Sequence, residues 1–278
     1  MTDAALLAAD QMQARALSRR VVDLLAVVGF LAIGLGWVLF PYTTGQAVPG
    51  DLGDSRFNLA VLEFFYHSLA AALHGRPASF VNAPFFYPWP RVTNFSDTFW
   101  GDGEVYALAR ALGLDMLAAF RVWFLAGFAL TYIATFVSFR KLGLATWGAA
   151  TGAFLFTFPL PMAAQFDHVQ LVYRLWIGPA VVALDYFLRR RSLPAGAACV
   201  LFVALQLAAS IYLGLFLCLL LVAYAFAVCA VSRGRLAWGR PWPVSSPQLV
   251  ATAIMLMLGL GLIAIVGIPY FEVQSLYG

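Results

Sequence analysis

Apolar runs of about twenty residues, separated by short arginine and lysine clusters, recur along the whole chain. A bilayer hydrocarbon core about 30 Å thick needs about 20 apolar residues per crossing helix. Seven runs meet that length: Val21–Phe40, 116–139, 144–164, 171–188, two within 193–231, and 249–268. The stretch 193–231 is too long for one crossing, because 39 residues at 1.5 Å each would reach about 58 Å. Two helices with a turn near Ala209-Ser210-Ile211-Tyr212 fit better. Across the 278 residues, 63% are hydrophobic and 11% are charged. A soluble domain has about 45–50% apolar and about 25% charged residues, so a water-soluble enzyme is excluded. Disorder requires the opposite composition. The predicted fold class is all-α: a polytopic membrane helix bundle of about seven transmembrane helices.

The basic residues set the predicted orientation. Arg15, Arg19 and Arg20 precede the first run, and Arg140 and Lys141 follow the second. Arg189, Arg190 and Arg191 follow the fourth, and Arg233, Arg235 and Arg240 follow the sixth. All fall on one side only if 193–231 crosses twice, and that side is cytoplasmic by the positive-inside rule. Residues 1–20 then form a cytoplasmic segment before a retained anchor, and 21–278 form the membrane domain. The expected location is a bacterial inner membrane, multi-pass. The net charge of +4 is accounted for by these clusters. With no basic stripe interleaved with aromatics, nucleic acid is not an expected partner. Cys199, Cys218 and Cys229 fall inside apolar runs without metal or disulfide spacing.

Residues 41–115 form a long outer loop, and long loops in compact structures tend to be functional. The loop holds Asp51, Asp54, Glu63, Asp97, Asp102, Glu104 and Asp115, seven of the 13 acidic residues. Leu59, Leu62, Phe65, Tyr66, Leu69 and Leu73 recur at helical spacing in 55–73, predicting an interfacial helix. Glu63 and His67 lie one turn apart on another face. A second, shorter helix is expected over 104–114. The aromatic, proline-rich stretch 80–90 between them excludes a helix interior and suits the headgroup level.

Several residues have the chemistry of a site. Asp51 and Asp54 sit three apart in a glycine-containing turn, as a base or metal ligands; the alternative is Asp54 as a helix N-cap. Asp167, His168 and Gln170 cluster in a short outer connection, and Arg174 follows seven residues after Asp167. Asp167 would ligate or orient, His168 contact a phosphate or sugar, and Arg174 bind a phosphate; the alternative is a capped helix start with an interfacial arginine. Arg121 and Arg174 lie near the outer ends of their runs, where ionisable groups face a cavity or a partner, or snorkel. Asp97 and Asp102, in turn-like segments, are candidates for a second cavity carboxylate. Asp23 and Asp185 are expected to answer nearby arginines.

Gly50-Asp51-Leu52-Gly53-Asp54-Ser55-Arg56, Pro84-Phe85-Phe86-Tyr87-Pro88, Ser96-Asp97 and Asp167-His168-Val169-Gln170 together resemble the GT-C superfamily of membrane glycosyltransferases. The resemblance implies sugar transfer from a polyprenyl-phosphate-linked donor at the outer membrane face, with Asp51 or Asp54 as base or metal-linked activator. The candidate substrate contacts are Arg56, Asp97, Arg121, Asp167, His168, Gln170 and Arg174. A divalent cation, Mg or Mn, would be held by Asp51, Asp54 and Asp167. The expected partners are membrane lipid and the donor. GT-C enzymes generally continue beyond seven spans, which marks the chain as the front part of a longer protein or as a reduced member. A non-catalytic membrane subunit and a lipid or solute transporter are the alternatives.

Overall fold

The computed structural model describes residues 21–40, 48, 53–159, 168–232 and 245–278. Among the described residues there are nine α-helices and no strand. They are α1 (Val21–Phe40), α2 (Asp54–Leu73), α3 (Gly103–Ala111), α4 (Met116–Lys141), α5 (Thr146–Thr157), α6 (Ile177–Arg190), α7 (Leu193–Ala209), α8 (Ile211–Val231) and α9 (Ser246–Tyr277). Two short 3₁₀ turns, Val92–Phe95 and Val169–Val172, interrupt the connections. Four helices, α1, α4, α8 and α9, are long and apolar enough to cross a membrane. Large apolar side chains such as Leu25, Phe216, Phe226 and Met257 remain exposed on them, which hydrocarbon tolerates and water does not.

The caps explain several boundaries. The Asp115 carboxylate accepts the Ala118 N–H at 2.9 Å and starts α4. Ser192 caps α7, with Pro194 in its first turn. Ser245 and Gln248 form a reciprocal capping box on α9, satisfying donors that a helix start leaves open. The turn expected near 209–212 falls at Ser210, whose extended backbone (φ −153°, ψ 122°) separates α7 from α8.

The third and fourth apolar runs do not form full-length helices. Helix α5 has 12 residues and α6 has 14, about 18 and 21 Å at helical rise. Phe158 leaves helical geometry (φ −117°, ψ 52°) because Pro159 follows, and the residue before proline avoids the α region. On the far side, Val169–Val172 tightens into a 3₁₀ turn, and α6 starts only at Ile177. The result is a broken hairpin. Thr131, near the middle of α4, donates to the Val172 carbonyl at 3.0 Å and accepts the Arg174 N–H at 3.1 Å. The break therefore sits alongside the middle of α4.

Helix α6 runs in the direction of α4. A Cβ on Gly178 would meet Ser138 Oγ at 2.6 Å, beyond Thr131 toward the α4 C-terminus. Arg140, Lys141, Arg189 and Arg190, in the last turns of these two helices, thus define a basic end. Helices α2 and α3 lie at the opposite end. The main core fills the space between α1, α2, α4, α5 and the 3₁₀ turn at 169–172. Trp123 stacks on Phe120 and Tyr173 and meets Phe99 edge-on there. The apolar face expected on 55–73 packs inward: Leu59, Leu62 and Phe65 are buried against the bundle.

Candidate functional site

The first turn of α2 and the break between α5 and α6 meet. Asp54 is the first residue of α2; the N-cap is Gly53, so the capping reading of Asp54 is not the one observed. Its Oδ2 lies 3.1 Å from His168 Nδ1, and the side chains are 53% and 49% exposed. One turn deeper, Asn58 Nδ2 donates to Gln170 Oε1 at 2.9 Å, with both residues buried. Two motifs more than a hundred residues apart in sequence thus share two side-chain contacts. The upper one is solvent-facing and the lower one is dry.

The exposure of the pair matters. A surface ion pair contributes about 0–1 kcal/mol to stability, so Asp54 and His168 are not needed to hold the fold. The buried amide pair is different, because losing one partner leaves the other desolvated at a cost of about 1–3 kcal/mol. The lower contact fixes the register in which the upper one forms.

Arg174 continues the same segment. Its Nη2 donates to the Thr157 carbonyl at 2.9 Å, and the guanidinium lies 5.3 Å from the Phe156 ring centroid. Thr157 ends α5, so the cation complements the negative end of that helix. Arg174 Nε is buried and has no hydrogen-bond partner among the described residues. The expected helical alignment of Asp167 with Arg174 does not form: 169–172 is a 3₁₀ turn, and no α-helix carries 168–176. Asp51 and Asp167 lie outside the described residues. Arg56 is exposed in the first turn of α2, and Arg121 is half-buried in the second turn of α4.

Asp97 faces elsewhere. It is 1% exposed, accepts the Ile211 N–H at 2.7 Å on Oδ1 and the Ser210 hydroxyl at 3.1 Å on Oδ2. It therefore supplies a carboxylate to the N-terminus of α8. Burial pushes it up to about 6, against the lowering effect of the two hydrogen bonds. Asp102 is also buried, and neither carboxylate oxygen has a hydrogen-bond partner among the described residues. Burial raises its pKa well above the usual range, and the neighbouring Glu104 and Asp97 charges add to this. A neutral carboxyl in this position avoids most of the cost of burying a charge.

Glu63 anchors a separate cluster that joins α2 to α3. Arg110 grips it with two hydrogen bonds, Nε to Oε2 at 3.0 Å and Nη2 to Oε1 at 2.8 Å. The Tyr106 hydroxyl donates to Oε2, and His67 Nε2 lies 3.2 Å from Oε1. Burial acts upward on Glu63, but the bonds from Arg110 and Tyr106 outweigh it and hold its pKa below the ordinary value. Asp185 accepts from Arg189 at 2.6 Å and Tyr224 at 2.7 Å, the local pairing expected of it.

A cation site was expected on Asp51, Asp54 and Asp167. Among the described residues, no three His, Cys, Asp or Glu side chains group as metal ligands. Asp54 has an imidazole beside it, and hard divalent cations favour oxygen ligands. The described residues alone therefore do not make a magnesium site.

The sequence missed the roles of Asn58, Thr131 and Thr157. Asn58 had one available signal: it is a polar residue on the same helical face as Asp54, four positions on. No family model matches the chain, nor does any curated protein or solved structure.

Proposed function

We propose that the chain is a membrane glycosyltransferase that takes a sugar from a polyprenyl-phosphate-linked donor. The observation carrying this reading is the Asp54–His168 contact. It brings together the acidic first-loop motif and the Asp167-His168-Val169-Gln170 motif, two of the segments on which the GT-C resemblance rests. In this reading the bundle crosses the bilayer seven times. The basic end is cytoplasmic, and the α2–α3 end faces outward in a bacterial inner membrane. The loop 41–115 is then the outer loop. The α5–α6 break lies at membrane depth, where irregular backbone is tolerated if it lines a cavity or is buried in protein.

The chemistry needs a base near the acceptor and a counter-charge for the leaving phosphate. Asp54 takes the proton of an acceptor hydroxyl, and His168 orients the carboxylate. The acceptor oxygen bonds to the anomeric carbon as the bond from that carbon to the phosphate oxygen breaks. Polyprenyl phosphate departs with the electron pair. Arg174, whose Nε has no hydrogen-bond partner among the described residues, is the proposed counter-charge for the phosphate, with Arg56 and Arg121 as further proposed phosphate contacts. Asp51 and Asp167 are the carboxylates the resemblance adds. A bound divalent cation would neutralise the leaving phosphate.

The test is transfer of radiolabelled sugar from polyprenyl-phosphate donors in membranes containing the chain. Asp54→Asn should reduce transfer by about 10²-fold or more, the usual worth of general base catalysis. Unchanged transfer in both Asp54→Asn and Asp51→Asn would overturn the mechanism. The α5–α6 break also favours a second reading, a transporter, because discontinuous helices line substrate paths. Labelled-substrate uptake by proteoliposomes, with no transfer, would select that reading.

A further inference from the structure

A second feature, on the other side of α7, lies beyond the glycosyltransferase reading. Helices α8 and α9 both pack on α7 while scarcely touching each other. The gap between them is a cleft of about 460 Å³, walled by Ile211 and Leu215 of α8 and by Ile263, Gly267 and Phe271 of α9. At the α2–α3 end it adjoins a cavity of about 600 Å³ whose walls include Phe86, Trp89 and Tyr277. Asn94 and Phe95 line both spaces. Each volume is within the roughly 300–1,000 Å³ typical of ligand sites.

Asn94 is 3% exposed, and its Nδ2 has no hydrogen-bond partner among the described residues. Its Oδ1 accepts from the Thr93 hydroxyl at 3.3 Å. A buried amide donor left unpaired costs about 1–3 kcal/mol, so an acceptor in the adjoining space would be bound favourably. The apolar cleft and the single donor at its end match an amphiphile: a hydrocarbon chain with an oxygen-bearing head.

We infer that a phospholipid occupies this cleft, one chain between α8 and α9 and a head or ester oxygen on Asn94 Nδ2. The cleft is continuous with the exposed apolar faces of two candidate spans. Leu215 and Phe271 are 57% and 73% exposed. The surrounding bilayer therefore supplies the occupant at high concentration, and mass action favours the commonest amphiphile. Trp89 and Tyr277 at the mouth belong to side-chain types that collect at headgroup depth. Arg91 and Glu272, paired at 2.6 Å, tie the mouth loop to α9 and keep the entrance in place.

The test needs no sugar donor, so its outcome is independent of the transfer reading. The full chain is reconstituted in phosphatidylglycerol vesicles with a trace of phosphatidylglycerol carrying a diazirine acyl chain. It is then irradiated, and labelled peptides are mapped. Labelling should concentrate on the peptides containing Leu215 and Ile263–Phe271, relative to the lipid-facing stretch around Leu219 and Phe226. A Cβ on Gly267 would meet only the Phe271 ring, at 4.0 Å, so Gly267→Leu fills the cleft without a core clash and should abolish that excess. Asn94→Leu removes the unpaired donor, while the Thr93 hydroxyl that loses Asn94 Oδ1 keeps the Phe80 and Val81 carbonyls as acceptors, and it should weaken retention of the lipid by roughly two- to tenfold. Even labelling along α8 and α9, or an excess that survives both substitutions, would overturn the proposal.

Discussion

Asp97 reads as a site candidate from its neighbours in sequence, and in the fold its carboxylate accepts hydrogen bonds at the start of α8. Ser96-Asp97 reads as a turn in an acidic loop, and the link to Ile211 spans 114 positions. Spacing along the chain carries no trace of such a contact. The consequence can be measured. Its folded pKa of about 6 exceeds the ordinary 3.8, so the folded protein holds the proton more tightly than the unfolded chain. The associated stability is present in full below pH about 4 and is lost as pH rises through about 6, by roughly 3 kcal/mol. Thermal unfolding in detergent should show Tm falling between pH 4 and 7. Asp97→Asn, which keeps an acceptor for the Ile211 N–H, should flatten that fall. A Tm that rises over this range and is unaffected by Asp97→Asn would be inconsistent with the buried cap. At the same scale, Gln170→Ala should cost about 1–3 kcal/mol by stranding Asn58. Asn58→Leu combined with Gln170→Leu should recover much of that loss; a double variant no better than the single one would count against the amide pair as the register lock.

Helices were legible where one physical signal governed them. The periodic apolar face at 55–73 predicted α2 to within a residue, because burial and periodicity agree there. The split of 193–231 was legible from length, and Ser210 is a good N-cap type. The third and fourth runs were misjudged in extent because hydropathy ignores backbone geometry. Pro159 and Pro161 are apolar enough to continue a run but cannot continue a helix. The end of α5 before Pro159 leaves His168 and Gln170 outside any α-helix, and both reach α2. Close packing at the α7–α8 turn gives a prediction at this scale. Gly101 donates its N–H to the Ala208 carbonyl at 3.0 Å, and a Cβ there would come within 2.7 Å of the Ala209 backbone nitrogen. Gly101→Ala should destabilise by about 1–3 kcal/mol, read as a lower Tm. Gly148→Ala, with open space around it, should not; equal effects would show that the 97–103 segment does not bear on the turn.

At the scale of the whole molecule, composition and basic clusters were enough to read a helical membrane protein with two unlike ends. The number of full-length helices was not legible, because an apolar run states how much hydrocarbon contact is tolerated and not whether one helix provides it. The convergence of two motifs was visible only as a shared resemblance, since tertiary contact is not written in spacing. Orientation is open to a direct check. Reporters fused after Lys141 and after Gly278 should report opposite sides, with the Lys141 side cytoplasmic; the reverse assignment would place the Asp54–His168 pair on the cytoplasmic face and remove the outward-facing site.

The central claim is that Asp54 and His168 act as one unit in sugar transfer. A double-mutant cycle on transfer rate with Asp54→Asn, His168→Gln and the pair tests it most directly. Strong non-additivity, with the double variant little worse than Asp54→Asn alone, is the predicted result. Additive losses, or a wild-type chain that transfers no sugar from any polyprenyl-phosphate donor, would contradict it.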